Sequence, residues 1–253
     1  MSEPSGGRPA VSVLLATPCY GGLANIVFVE SLLKLQRACD ARGVGLEVRL
    51  TGGDALITRA RSRLATEFLS DGRHSHLLFV DADIGFDPEH LFRLLQFGKP
   101  LVGGVYPLKT VHWDKVADAV RRGARDLQAA ALGYVVRFLP NPDQTVELTD
   151  GFGQVAYVPT GFMLIAREAL EAIAAAHPEL TCVVADLNGP PVATTMFFET
   201  MIDPASGEHL SEDYAFCKRW RDCGGEVWAD FQTRMTHVGP AAYRGSLMDA
   251  AAT

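Results

Sequence analysis

His76-Leu-Leu-Phe-Val-Asp81-Ala-Asp83-Ile-Gly-Phe-Asp87-Pro88-Glu89 is the stretch on which the fold turns, since a strand, two carboxylates and a helix start follow one another without a gap. The apolar run His76–Val80 is short and unbroken, as in a central strand covered on both faces. Asp87 reads as an N-cap, Pro88 as the first helical residue and Glu89 as a first-turn acid. If Asp81 and Asp83 continue the strand, its period of two puts both side chains on one side. Two hard oxygen ligands at the carboxyl end of a parallel strand suit Mg²⁺ or Mn²⁺, and such an ion suits a phosphate. About one D-x-D arises by chance in a chain of this size, so the flanking strand and helix carry the specificity.

Working outward, residues 11–16 predict a strand and Thr17-Pro18-Cys19-Tyr20-Gly21-Gly22 a turn. A helix follows over about 24–41, with Ile26, Val29, Leu32, Leu33 and Leu35 at helical spacing and Gly43 as its stop. Residues 46–50 predict a strand, 57–69 a helix, Pro88–Phe97 a helix stopped by Gly98, and 101–106 a fourth strand. This alternation predicts a parallel, doubly wound α/β sheet that binds ligands at the carboxyl ends of its strands. Past Pro107 the pattern loosens. Helices are expected over 113–131, Arg167–Ala176 and 211–223, the last with Ser211 as N-cap and Glu212 and Asp213 in its first turn. Strands are expected over 134–138 and 145–148, around Asn141-Pro142-Asp143, and over 155–166, 196–202, 226–229 and 233–238.

Composition narrows the function classes. The chain has 253 residues, enough for one domain with a full core, and 48% of them are apolar. A net charge of −7 argues against a general nucleic-acid binder. Cys19, Cys39, Cys182, Cys217 and Cys223 form no C-x-x-C pair, and their odd number points to reduced thiols in a cytoplasmic protein. Residues 1–10 are polar and read as a flexible N-terminus without a signal peptide, and no run approaches the roughly 18 apolar residues of a membrane span. The expected layout is a single domain over 11–240 with a tail over 241–253.

With the D-x-D strand, Ser211-Glu212-Asp213-Tyr214 and Thr236-His237-Val238-Gly239 set in order, the chain resembles the GT-A glycosyltransferases, and glycosyltransferase family 2 in particular. Ile57-Thr-Arg-Ala-Arg-Ser-Arg63 is also similar to retaining mannosyltransferase relatives. The resemblance spans about 11–239 and is thin over 107–157. It implies a Rossmann-like nucleotide-diphospho-sugar transferase fold, a mostly parallel central sheet with helices on both faces. It further implies a nucleotide-sugar-binding half over 11–107 and an acceptor-binding, catalytic half over 108–240.

Residue by residue, the resemblance implies that Asp83 binds the metal, that Asp81 holds ribose or metal, and that His237 is a further metal ligand. Thr17, Pro18 and Asp54 would contact the nucleotide. Arg59 and Arg63 share a helix face while Arg61 points elsewhere, and a guanidinium from this helix is expected to grip a diphosphate. Asp213, ahead of Glu212, matches the acid that takes the acceptor proton in inverting members, and a carboxylate in the first turn of a helix suits that role. Gly103-Gly104 and Thr160-Gly161, small residues at expected strand ends, either let sugar or acceptor approach the backbone or simply form turns. The expected cofactor is Mn²⁺ or Mg²⁺ and the donor a nucleotide-diphosphate sugar. The acceptor would be a glycan, glycolipid or other hydroxyl compound, the protein being peripheral to a membrane if the acceptor is lipid-linked. A nucleotide-sugar-binding module without turnover is the alternative. A HAD-type phosphohydrolase fits less well, because its D-x-D belongs on the first strand, and a nucleotidyltransferase would need a Gly-rich basic loop after strand one.

Overall fold

The computed structural model describes residues 11–139, 143, 145–185 and 190–240, so the expected N-terminus over 1–10, the tail over 241–253 and the Asn141-Pro142 turn lie outside the described residues. The strands β1 (Ser12–Cys19), β2 (Gly45–Gly52) and β3 (His76–Val80) pair in parallel, with β1 in the middle. Alternate residues feed opposite layers. Val13, Leu15, Leu78 and Val80 pack with Phe28, Leu35, Leu91 and Leu94, from helices α1 (Ile26–Arg42) and α3 (Pro88–Phe97). Leu14, Ala16, Leu77 and Phe79 pack on the other side with Leu64 and Phe68 of α2 (Ile57–Asp71). An unbroken apolar strand is stable here because both of its faces are covered by helices.

The sheet is mixed. Among the described residues its nine strands include β5 (Leu101–Gly104), β8 (Phe152–Tyr157), β9 (Phe162–Ala166) and β10 (Val227–Asp230), in the order β2-β1-β3-β9-β5-β10-β8. Most strands share one direction, and β8 and β9 run against them. The strand expected over 155–166 is therefore two strands. Between them the chain crosses from the far side of β10 to the gap between β3 and β5. Gly103 permits that crossing, since a Cβ there would stand 3.1 Å from the Val158 side chain and 3.3 Å from the Phe162 carbonyl oxygen.

Beyond β5 the chain builds an arm. Strand β6 (Pro107–Val111) pairs antiparallel with β7 (Leu132–Tyr134). Between them the single helix expected over 113–131 is two, α4 (Trp113–Arg121) and α5 (Leu127–Ala131), separated at Gly123 with φ of 67°. Helices α6 (Arg167–Ala176) and α7 (Glu212–Asp222) complete the layer that holds α2. Of the strand expected over 196–202 only Met201–Ile202 forms, pairing with His209–Leu210, while Phe197 and Phe198 fill the core. Strand β4 (Ile84–Gly85) pairs antiparallel with β11 (Thr236–His237), which carries the end of the described chain back to the D-x-D. Among the described residues no helix is long and apolar enough to cross a membrane.

Candidate active site

Strand β3 ends at Val80, and Asp81, Ala82 and Asp83 form a turn closed by Ile84 N–H on the Asp81 carbonyl at 3.1 Å. The two acids therefore do not continue the strand, and the period-of-two argument for placing them together fails. The helix α1 supplies the constraint instead: the Asn25 N–H donates to the Ala82 carbonyl at 2.8 Å, while the Asn25 side chain caps the helix by accepting from Val27 N at 3.1 Å. Asp81, Ala82 and Asp83 thus line one cavity of about 560 Å³, together with Pro18, Tyr20, Leu23, Ile57 and Arg61. One wall is apolar. The other carries charge and the cap of α1 at Asn25, where the positive end of the helix dipole favours an anion.

Asp83 meets two nitrogens. Its Oδ1 lies 3.6 Å from His237 Nε2, and its Oδ2 accepts from Lys109 Nζ at 2.5 Å. Burial pushes its carboxyl up, but the His237 ring and the Lys109 ammonium beside it outweigh that and hold it at about 2. His237 Nδ1 donates to the Pro107 carbonyl at 2.8 Å, and this bond turns Nε2 toward Asp83. An imidazole so oriented by a backbone carbonyl is arranged as metal-ligating histidines are. His237 and Lys109 also line a neighbouring cavity of about 640 Å³ between the β6–β7 arm and residues 233–240, so their contact with Asp83 stands between two cavities.

Asp81 is occupied differently. Arg61, 5% exposed, donates from Nη2 to Asp81 Oδ1 at 2.7 Å and from Nη1 to Glu212 Oε1 at 2.5 Å. Burial raises the Glu212 carboxyl above its ordinary value. In the same first turn of α7, Asp213 Oδ1 accepts from the Ser211 hydroxyl and from Tyr214 N at 2.9 Å. Ser211 itself makes no side-chain cap to the helix.

The remaining expected residues scatter. Thr17 is wholly buried in β1, with no partner for its hydroxyl among the described residues, and does not line the cavity. Asp54 and Arg59 also lie off the wall and bind each other, Nη2 to Oδ1 at 2.7 Å and Nε to Oδ2 at 2.9 Å. That pairing holds the Asp54 carboxyl below the usual range. The arginine expected to point elsewhere, Arg61, is the one that reaches the site. Gly104 and Gly161 admit protein and not ligand: a Cβ at Gly104 would collide with Met235, and one at Gly161 with the Tyr106 hydroxyl.

No family model and no curated protein matches the chain. Among solved structures it is similar to A197 from STIV, with 16% identity, a TM-score of 0.51, and 91% of this chain and 87% of that one covered. At that identity the likeness is one of fold alone. A glycosyltransferase involved in the glycosylation of the major capsid of PBCV-1 aligns over 64% of this chain and 62% of that one, at 10% identity and a TM-score of 0.34. UDP-glucose pyrophosphorylase complexed with UDP-glucose aligns over 89% and 92%, at 9% identity and a TM-score of 0.42. Neither of these two is close enough in shape to bear on what this chain does.

Sequence reasoning missed two residues of the site. Tyr106 is buried, its hydroxyl accepts from Gly161 N at 3.2 Å, and its ring stands edge-on to His237 with centroids 5.1 Å apart. Since the Asp81 N–H donates to the Gly161 carbonyl at 3.0 Å, Tyr106 braces both the imidazole and the acidic turn. Lys109 was the second omission. A single lysine in an irregular segment carries no local signal; β6 reaches Asp83 by lying against residues 237–239, through the Pro107 carbonyl on His237 and the Lys109 side chain on Gly239.

Asp81, Asp83 and His237 are not a compact three-ligand set, because Asp81 turns to Arg61. Among the described residues, the three whose ligand atoms converge within 4.8 Å are Glu47, Asp71 and His74, at the amino end of β3. Arg49 and Arg73 already pair with Glu47 at 2.8 and 3.0 Å, and Arg73 also pairs with Asp71. Two guanidiniums so placed oppose the binding of a metal cation.

Proposed function

We propose that the protein is a GT-A glycosyltransferase that moves a sugar from a nucleotide-diphosphate donor to an acceptor hydroxyl with inversion, using Mn²⁺ or Mg²⁺. The observation that carries this reading is Asp83 facing the carbonyl-oriented Nε2 of His237, at the edge of a cavity that also receives the N-terminus of α1. One carboxylate and one imidazole suit an ion that keeps several positions for water and substrate phosphate. When bound, that ion would neutralise charge on the departing diphosphate. Asp83 and His237 would hold it, and Asp81, tied to Arg61, would face the donor without being a ligand to it.

The apolar wall of Pro18, Tyr20, Leu23 and Ile57 suits a nucleobase and ribose, and the end of α1 suits phosphate oxygens. Asp213 would accept the acceptor's hydroxyl proton as the new C–O bond forms and the bond to the nucleoside diphosphate breaks. In this reading 11–107 bind the donor and 108–240 the acceptor. Incubation with UDP- and GDP-sugars and Mn²⁺ tests it: release of nucleoside diphosphate, lost with EDTA, is the expected result. Thermal stabilisation by UDP or GDP with Mn²⁺ but no release from any donor would instead indicate a binding module.

A further inference from the structure

We infer that Arg61 is a positioning residue that ties the first turn of α7, and with it Asp213, to the acidic turn after β3. It is not itself a ligand of the diphosphate. This rests on the transferase reading for its catalytic consequence, though not for its structural one.

Three observations carry it. The guanidinium is almost wholly buried and each Nη donates to a different carboxylate, Asp81 at 2.7 Å and Glu212 at 2.5 Å. Those residues stand at the ends of two elements that are far apart in the chain, and the rigid planar fork offers one Nη to each, a preorganised span that a flexible ammonium lacks. Next, the trio carries one positive and two negative charges when ionised, so an approaching phosphate meets net negative charge there. Finally, α7 begins without a side-chain cap from Ser211, and the Arg61–Glu212 bond ties its first turn to a distant element, where the bonds of Asp213 stay within residues 211–214. Asp213 follows Glu212 directly, so whatever fixes one fixes the other.

Arg61→Lys keeps the charge and gives up the fork that spans the two carboxylates; Glu212→Gln keeps the shape, removes the charge and tests the link from the other side. In both, hydrogen exchange should quicken at Ala215, whose N–H closes the first turn on the Ser211 carbonyl at 2.7 Å. Affinity for UDP or GDP with Mn²⁺, measured by calorimetry, should change less than about threefold, while kcat for donor turnover falls about thirtyfold or more. The double variant should be no worse than the poorer single one, because both weaken the same link. Unchanged exchange at Ala215, or a large loss of nucleotide affinity in Arg61→Lys, would overturn the inference. If Arg61→Lys does not fold, Glu212→Gln decides by the same readouts. Should the wild-type protein bind no nucleotide, the transferase reading fails, while exchange at Ala215 still judges the link.

Discussion

Asp83 lies between a histidine nitrogen and a lysine ammonium, and each makes a different demand on it. A divalent ion at Asp83 and His237 competes with the charge of Lys109, so Lys109→Met should tighten Mn²⁺ binding by about tenfold, from the Coulomb repulsion removed at short range in a partly wet site. Asp83→Ala should abolish Mn²⁺-dependent donor turnover. Calorimetric titration of both variants with Mn²⁺ checks the pair, and normal turnover in Asp83→Ala would remove the metal assignment. For Asp213→Asn, donor binding should stay within a few-fold while transfer drops by about two orders of magnitude or more. A parallel fall of both would make Asp213 a structural residue. At this scale the acids were legible because a strand, a cap and a helix dipole mark them locally. Arg61 was legible only in part: its place on the helix showed that it points away from Arg59, but not that Asp81 and Glu212 wait there. Tyr106 and Lys109 were not legible, because they reach Asp83 and His237 through contacts between distant segments that leave no trace in spacing.

Helix α1 shows why element existence was easier to read than element orientation. The helix is where the spacing put it, yet its buried residues are Phe28, Ser31, Leu35 and Cys39, while Ile26, Val29 and Leu33 face outward. Ser31 misled the pattern: its hydroxyl donates to Val27 O at 2.8 Å and accepts from Phe86 N at 2.8 Å, so a polar residue sits on the inner face. Helix α3 read correctly in full, because Asp87, Pro88 and Gly98 fix both ends through local bonds. The reversed strand β9 did not, since an apolar run carries no direction. The cap of α1 offers a test at this scale. Asn25→Ala removes the acceptor for Val27 N and should cost about 1 kcal/mol, or a few degrees in melting temperature, read by calorimetry. Affinity for UDP or GDP should weaken with it, because the same turn holds Ala82.

Across the whole molecule the carboxylates set the acid limit of stability. Asp83 is held at about 2, Arg59 keeps Asp54 below the usual range, and Arg49 does the same for Glu47. Between about pH 2 and 4 the unfolded chain therefore binds more protons than the folded one, so stability rises with pH there. That contribution is complete above the ordinary carboxylate range and drains away as pH falls toward 2. Glu212, raised by burial, works in the opposite sense. Urea midpoints should drop steadily as the pH is lowered from 5 to 2.5, and a flat profile would contradict these pairings. The three-layer architecture was legible from alternation and helix order, whereas the arm over 107–134 was not, because its pieces are short and pair with one another only after folding.

The placement of β9 bears on how the protein is made. Residues 162–166 emerge from a ribosome long after β3 and β5, yet they occupy the slot between them. The nascent amino-terminal half therefore holds a gap it cannot close, with the hydrogen-bonding edge of β3 waiting on later synthesis. Cutting the gene after residue 107 would leave that edge bare, and the product would be expected to aggregate instead of folding as a free-standing nucleotide binder.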